Sequence, residues 1–252
     1  MKRAVVLAIF AAGAPNLAHG ERSLVATTLR AVLWVVFCVL AAELAGYLLH
    51  SLLHSEKLPW LSRSHMEHHL EHYGPRRPMR PSATYIDATA ERWSIGNVGM
   101  EWIVPSIVVL GSFFGIFSVI RLPWSYRVSF MAIALAWSAF MFNYLHDRMH
   151  VLGFWMEKNR VFRRWFVAAR RLHDIHHLGV NNHGKMDSNF GIGFSFFDHV
   201  FGTFRGRLES LNEVGISVAQ RRYAIHLRRP AHVSTRSSSH ETGPIEDTCP
   251  QT

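Results

Sequence analysis

Four apolar runs alternate with polar, basic segments along the chain. The runs cover residues 4–18, 28–49, 102–120 and 128–145. A helix of roughly 20 apolar residues spans the hydrocarbon core of a bilayer, and the last three runs reach or approach that length. The pattern predicts an all-α fold, a multi-pass transmembrane helical bundle of about four spans.

The ends of these runs carry further signals. The first run follows Lys2 and Arg3 and has small residues near Ala18, so it fits either a short span or the core of a signal peptide. The third and fourth runs are joined by residues 121–127, where Pro123 and two aromatic residues predict a tight turn at a membrane surface.

Basic residues are divided unevenly between the two sides of this bundle. Residues 50–96 contain six Lys and Arg, and the chain after His146 contains fifteen. The opposite side keeps Arg22, Arg30, Arg121 and Arg127. By the positive-inside rule, the 50–96 loop and the C-terminal third face the cytoplasm, where they would form a helical cap. Aromatic and arginine residues alternate over residues 154–172, which favours a helix lying at the interface.

Composition favours a compact membrane protein. Hydrophobic residues make up 49% of the chain and charged residues 18%, which excludes a disordered acidic chain. Two cysteines, Cys38 and Cys249, exclude a disulfide framework. The net charge of +9 follows from the topology, and no nucleic-acid-binding fold is recognisable. We expect an N-terminal segment over residues 1–27, a catalytic domain over 28–208, and an extension over 209–252 that is disordered from about residue 230.

Histidine is the unusual residue, with 17 copies against 18 acidic residues. Ten of them lie in two motifs that each occur twice. The HxxxH pair occurs as HSLLH and HDRMH, and the HxxHH triplet occurs as HMEHH and HDIHH. Positions i, i+3 and i+4 share one face of a helix, so each motif directs its imidazoles one way. Each HxxxH pair also begins where an apolar run ends, which predicts both pairs at the cytoplasmic mouth of the bundle. The ten are His50, His54, His65, His68, His69, His146, His150, His173, His176 and His177.

Ten convergent imidazoles indicate a transition-metal site. Neutral imidazole suits Fe, Zn and Cu, and one ion takes about four to six ligands, so the set predicts two ions. Candidate supporting residues around these ligands are His72, Asp147, Asp174, His183, Asn189 and His199. Glu43, the acid inside the second run, fits an inward-facing functional role and a polar helix contact equally well.

The four motifs follow one another along the chain in the order HSLLH, HMEHH, HDRMH and HDIHH. In this order they resemble those of the membrane-bound fatty acid hydroxylase and sterol desaturase superfamily, which also includes carotenoid hydroxylases. Two later segments strengthen the resemblance, residues 189–191 (NFG) and residues 197–204 (FDHVFGTF). Together these features cover roughly residues 30–205. Membrane desaturases of the acyl-CoA type also use histidine motifs, but with other numbers and spacings.

The resemblance implies a non-haem di-iron centre held by the ten histidines, with O₂ as cosubstrate. The implied activity is hydroxylation of a C–H bond in a membrane lipid, whether a fatty acyl chain, a sterol-like molecule or a carotenoid. The chain has no HPGG stretch of a fused cytochrome domain. Electrons would then come from a separate ferredoxin or cytochrome docked on the basic face. Zinc can replace iron in a purified sample, because zinc binds such sites more tightly than ferrous iron.

Three alternatives stay open at this point. A lipid desaturase could use the same di-iron centre, and the ligand motifs do not separate it from a hydroxylase. A metal transporter would place its histidines at mid-membrane, whereas these lie at the ends of runs. A zinc hydrolase would need a carboxylate base, and neither Glu67 nor Glu71 forms an HExxH motif.

Overall fold

The computed structural model describes residues 20–86, 94–95, 98–207 and 210–227, and this part of the chain is almost entirely helical. Two π-helical segments, π1 (His68–His72) and π2 (Ala139–Leu145), and one hairpin of two-residue strands, β1 (Ser94–Ile95) and β2 (Val98–Gly99), complete it. This confirms the predicted all-helical class. The α-helices are α1 (Gly20–His54), α2 (Pro59–Glu67), α3 (Met100–Val119), α4 (Trp124–Ser138), α5 (His146–Met149), α6 (Trp155–Lys158), α7 (Arg163–Leu178), α8 (Phe196–Phe201) and α9 (Glu213–His226).

Two helical stretches are long and apolar enough to cross a bilayer, Leu24–His54 in α1 and Trp124–Met149 through α4, π2 and α5. The apolar part of α3, Ile103–Val119, is shorter. The outer faces of these helices expose large aliphatic side chains, as lipid-facing surfaces do. The first apolar run, residues 4–18, lies outside the described residues.

Aromatic packing joins the apolar helices. Phe117 of α3 meets Phe130 of α4 edge-on at 4.9 Å between ring centroids, and Trp34 of α1 meets Tyr126 of α4 in the same way at 4.9 Å. Glu43 is buried between the two long stretches and accepts a 2.6 Å hydrogen bond from the Trp137 indole. The carboxylate thus links α1 to α4, the polar helix contact that was one of its two expected roles.

A second layer, made of α2, π1, α7 and α9, covers the ends of α1 and α5. Pro59 occupies the first turn of α2, where its missing N–H leaves no hydrogen bond unmade. Helix α9 packs Ile216 and Tyr223 against Met66 and Leu70 of the second histidine motif. Arg222 of α9 also forms a two-pronged ion pair with Glu56, at 2.6 and 2.7 Å. The extension predicted from residue 209 therefore includes an ordered helix, and residues beyond 227 lie outside the described part.

The aromatic and arginine-rich stretch over residues 154–172 is not one helix. It forms α6 and the start of α7, and the side chain of Asn159 ends α6 by accepting hydrogen bonds from the N–H groups of Val161 and Phe162. Helix α7 buries Phe166 and its three histidines and exposes arginines on the opposite face. One face of α7 therefore packs against the interior, and its other face lies on the surface.

The packing of α9 predicts a stability difference between two isoleucines of this helix. Ile216→Ala removes a fully buried side chain and should lower the unfolding free energy by about 2–5 kcal/mol. Ile225→Ala, at a position 67% exposed, should change it by less than about 0.5 kcal/mol. Thermal unfolding of both variants in the same detergent measures the difference, and equal midpoints would show that α9 is not packed as described.

Candidate metal centre

The ten histidines of the four motifs come together in two buried groups. Within each group, one ring nitrogen from every residue lies within 4.8 Å of those of the others. Three separate parts of the chain therefore meet in each group, although up to 126 positions separate their members along the sequence. Group one comprises His50, His54, His65, His69 and His176, and group two comprises His68, His146, His150, His173 and His177.

The two triplet motifs each contribute one histidine to the other group. Each HxxxH pair stays within one group, while each HxxHH triplet gives its first and last histidine to one group and its middle histidine to the other. His68 thus joins the group of the third and fourth motifs, and His176 joins the group of the first and second. The two groups touch where the rings of His69 and His177 stack at 3.8 Å.

The π-helical segments lie at the site. In π1 the N–H of Tyr73 donates to the carbonyl of His68, five residues back, at 2.9 Å. Segment π2 ends at Leu145, directly before His146 of the third motif. Such widened turns are frequent at functional sites because they rotate the following side chains relative to a regular helix.

Distances between ring nitrogens match those around a shared ion. In group one the Nε2 atom of His54 lies 3.0 Å from Nε2 of His176 and 2.9 Å from Nε2 of His65. In group two the Nε2 atoms of His150 and His173 are 2.9 Å apart. Two imidazole nitrogens bound at right angles to one ion, with bonds of about 2.1 Å, are about 3 Å apart.

Backbone carbonyls hold the outward nitrogens of four histidines. Nδ1 of His50 donates to Phe190 O and Nδ1 of His176 to Ser188 O, both at 2.6 Å. In group two, His150 and His177 donate likewise to the carbonyls of Met79 and Tyr73, both at 3.2 Å. A carbonyl can only accept, so each Nδ1 carries the proton and each Nε2 keeps its lone pair. This is the tautomer in which a histidine binds a metal ion through Nε2.

Several buried ring nitrogens have no hydrogen-bond partner within the described residues. They include the Nε2 atoms of His50, His68, His146 and His177. An unpartnered polar atom in a protein interior costs about 1–3 kcal/mol, so such atoms are rare unless they serve a ligand. The donor set therefore fits two transition-metal ions.

Burial favours the neutral form of seven of these imidazoles. The pKa of His176 is lowered to about 4, mainly by burial and also by repulsion from His146, although the hydrogen bond to the Ser188 carbonyl opposes the shift. Burial, followed by repulsion between neighbouring rings, also lowers the pKa of six others well below the ordinary value. Near pH 7 their lone pairs are thus available to a metal ion. The six are His65, His68, His69, His150, His173 and His177.

Three of the candidate supporting residues lie beside the groups. Asp147 Oδ1 lies 3.8 Å from Nδ1 of His146. The Asp174 carboxylate accepts from one Arg80 nitrogen at 2.7 and 2.8 Å. The buried side chain of Asn189 bonds to the backbone of Leu172 and Arg205.

The other three lie outside both groups. His72 lies 3.8 Å from Glu67. His183 is exposed, and His199 is exposed and stacked on Phe204 at 3.9 Å.

Sequence reasoning missed the backbone groups and aromatic rings that support the histidines. Tyr73 is fully buried and stacks on His150 at 3.9 Å between ring centroids. The carbonyls of Ser188 and Phe190 have no side-chain signature, although the NFG segment that carries one of them was noted as a family feature. Asp198, within the FDHVFGTF segment, is also fully buried beside this loop.

Comparison with known proteins gives one result. A family model described as fatty acid hydroxylase matches residues 35–203, more than half of the chain and a span that contains all four histidine motifs. Helix α9 lies beyond the matched segment. No curated protein and no solved structure matches the chain.

The geometry predicts a change in metal content on losing one histidine. The wild-type chain should bind roughly two transition-metal ions, and His54→Ala should reduce this to about one, because His54 lies between two other nitrogens of group one. His72→Ala, outside both groups, is the matched control and should keep both ions. Elemental analysis of the purified variants gives the counts. An unchanged content in His54→Ala would contradict the assignment.

Proposed function

Because the chain belongs to the fatty acid hydroxylase family, we propose that it is a membrane-bound, O₂-dependent di-iron oxidoreductase that hydroxylates a C–H bond of a membrane lipid. One observation carries this proposal above the others. Two buried groups of five imidazoles bring their ring nitrogens together, with spacings of 2.9–3.0 Å between those that approach closest.

The ten histidines would hold one iron ion in each group. When bound, an iron pair supplies O₂-dependent oxidation of an unactivated C–H bond, which no protein side chain can perform. The protein orients the ligands through the carbonyls of the 188–190 loop and of Tyr73 and Met79. Hydroxylation uses one oxygen atom of O₂ in the product and releases the other as water, which requires two electrons and two protons.

An apolar cavity supports a lipid substrate. Between α1, α3 and α4 lies a cavity of about 410 Å³, lined by aliphatic and aromatic side chains with three polar residues, Ser106, Ser138 and Asn143. Its wall reaches Leu49 and Asn143, one and three residues before His50 and His146. At a rise of 1.5 Å per residue, these lie within about 5 Å of the histidines along their helices. An uncharged chain could therefore extend from the bilayer to the histidines while water is excluded.

The apolar helices also support a proposal for the membrane topology. We propose a multi-pass protein of about four spans whose catalytic domain over residues 28–208 carries its histidine site on the cytoplasmic side. The basic residues of the second layer support this orientation, since Arg163, Arg164 and Arg171 are exposed on α7. The same positive surface would dock an acidic ferredoxin or cytochrome that delivers the electrons.

Comparison of lipids tests the reaction. Total lipids from cells that express the wild-type chain should contain a species one oxygen atom heavier than its precursor, and cells that express His173→Ala should not. Mass spectrometry measures both. A product that instead lacks two hydrogens would identify a desaturase on the same centre, and identical lipid profiles would contradict the oxidase proposal.

The cavity predicts a separation of activity from metal binding. Ala45→Trp places a large side chain in the cavity wall and should lower lipid turnover at least tenfold, a loss of about 1.4 kcal/mol in transition-state stabilisation, while the metal content stays unchanged. Val32→Trp, on the exposed face of the same helix, is the control and should retain activity. Normal turnover in Ala45→Trp would show that the substrate does not use this cavity.

A further inference from the structure

The loop over residues 188–191 presents alternate carbonyls to group one. Ser188 O accepts from His176 and Phe190 O accepts from His50, both at 2.6 Å, whereas the corresponding bonds in group two measure 3.2 Å. One loop therefore fixes two ligands of the same group, and it does so with shorter hydrogen bonds than those of the other group.

The peptide unit behind His50 ends on a carboxylate. The carbonyl of Phe190 and the N–H of Gly191 belong to one peptide, and that N–H donates to Asp198 Oδ2 at 3.0 Å. The line of hydrogen bonds thus runs from His50 through a single peptide to Asp198. The peptide behind His176 ends differently, because its N–H, from Asn189, donates to the neutral carbonyl of Thr203 at 3.0 Å.

Within the described part of the chain, three donors point at the Asp198 carboxylate. Oδ1 accepts from Phe190 N at 2.7 Å and from the Thr203 hydroxyl at 2.8 Å, in addition to the bond from Gly191 to Oδ2. Since the Thr203 hydrogen is used on Asp198, the hydroxyl of Tyr47 donates to Thr203 at 2.9 Å. Burial raises the pKa of Asp198 and these donors oppose the rise. Donors at both oxygens are the surroundings of an ionised carboxylate.

Glycine at position 191 permits this arrangement. A Cβ there would collide with the carbonyl oxygen of Phe194 and would lie 2.8 Å from Asp198 Oδ2. The carboxylate and the peptide can therefore approach each other only because residue 191 has no side chain.

We propose that Asp198 is a positioning residue for group one, acting on His50 through the peptide between Phe190 and Gly191. A hydrogen bond from the peptide N–H to a carboxylate polarises the peptide, so its carbonyl becomes a stronger acceptor. The carbonyl then holds His50 as the Nδ1–H tautomer and makes its Nε2 a stronger donor to a metal ion. The consequence is selective strengthening of metal binding in group one. This inference rests on the proposed metal centre.

Binding of Zn²⁺ to the full-length, chelator-treated protein in detergent micelles tests the proposal. Asp198→Asn keeps the size of the side chain but removes its charge and turns one acceptor into a donor. It is made in two backgrounds, His173→Ala to disable group two and His54→Ala to disable group one. Asp198→Asn should weaken Zn²⁺ binding about 10–100-fold in the His173→Ala background and leave it unchanged in the His54→Ala background.

Two controls separate positioning from general damage. Asp187→Asn alters the exposed carboxylate directly before this loop and should change binding in neither background. Thr203→Val removes one hydrogen-bond donor to Asp198 and should weaken Zn²⁺ binding in group one by a smaller factor. This variant tests the proposal even if Asp198→Asn does not fold. Equal weakening in both backgrounds, or none in either, would overturn the proposal. Absence of Zn²⁺ binding by the wild-type chain would instead refute the metal centre itself, and this inference with it.

Discussion

The structure depends on burying ten imidazoles in two groups whose ring nitrogens lie close together. Nitrogens such as those of His54, His65 and His176 lie about as close as two hydrogen-bonded atoms, yet none of these rings can donate to all its neighbours. Ions in the two groups would offset this cost by accepting the lone pairs. The surrounding elements hold the rings in place: α1 carries one pair, α5 and the residue that caps it carry the other, and α2, π1 and α7 carry the triplets.

The site lies at the end of the apolar helices, between an apolar cavity on one side and a charged surface on the other. The α1 residues that line the cavity are all alanine, glycine or leucine and end at Leu49, and the next residue of α1 is the first histidine of group one. On the other side, the second layer is covered by arginines and by the ion pair of Arg222 with Glu56. In the proposed reaction, a lipid chain and a water-soluble electron carrier would reach the same centre from opposite directions.

The sequence was informative where a local spacing decides the structure. Helical positions i, i+3 and i+4 placed the histidines of each motif together, and the ends of the apolar runs located both pairs. It did not show which group His68 and His176 join, because that depends on contacts between distant segments. The π-helical turns, the break at Asn159 and the carbonyls of residues 188–190 were hidden for a related reason. They arise from backbone geometry fixed by tertiary packing, which leaves no characteristic side chain.

The exchange of middle histidines between the motifs has a consequence for the folding of the chain. His54 and His176 lie 122 positions apart, so an ion held between them would close a loop of nearly half the protein. Closing a loop of that size removes much of the conformational freedom of the unfolded chain. A bound metal ion would thus act as a removable cross-link. Each ion would connect distant parts of the chain rather than stabilise one motif alone.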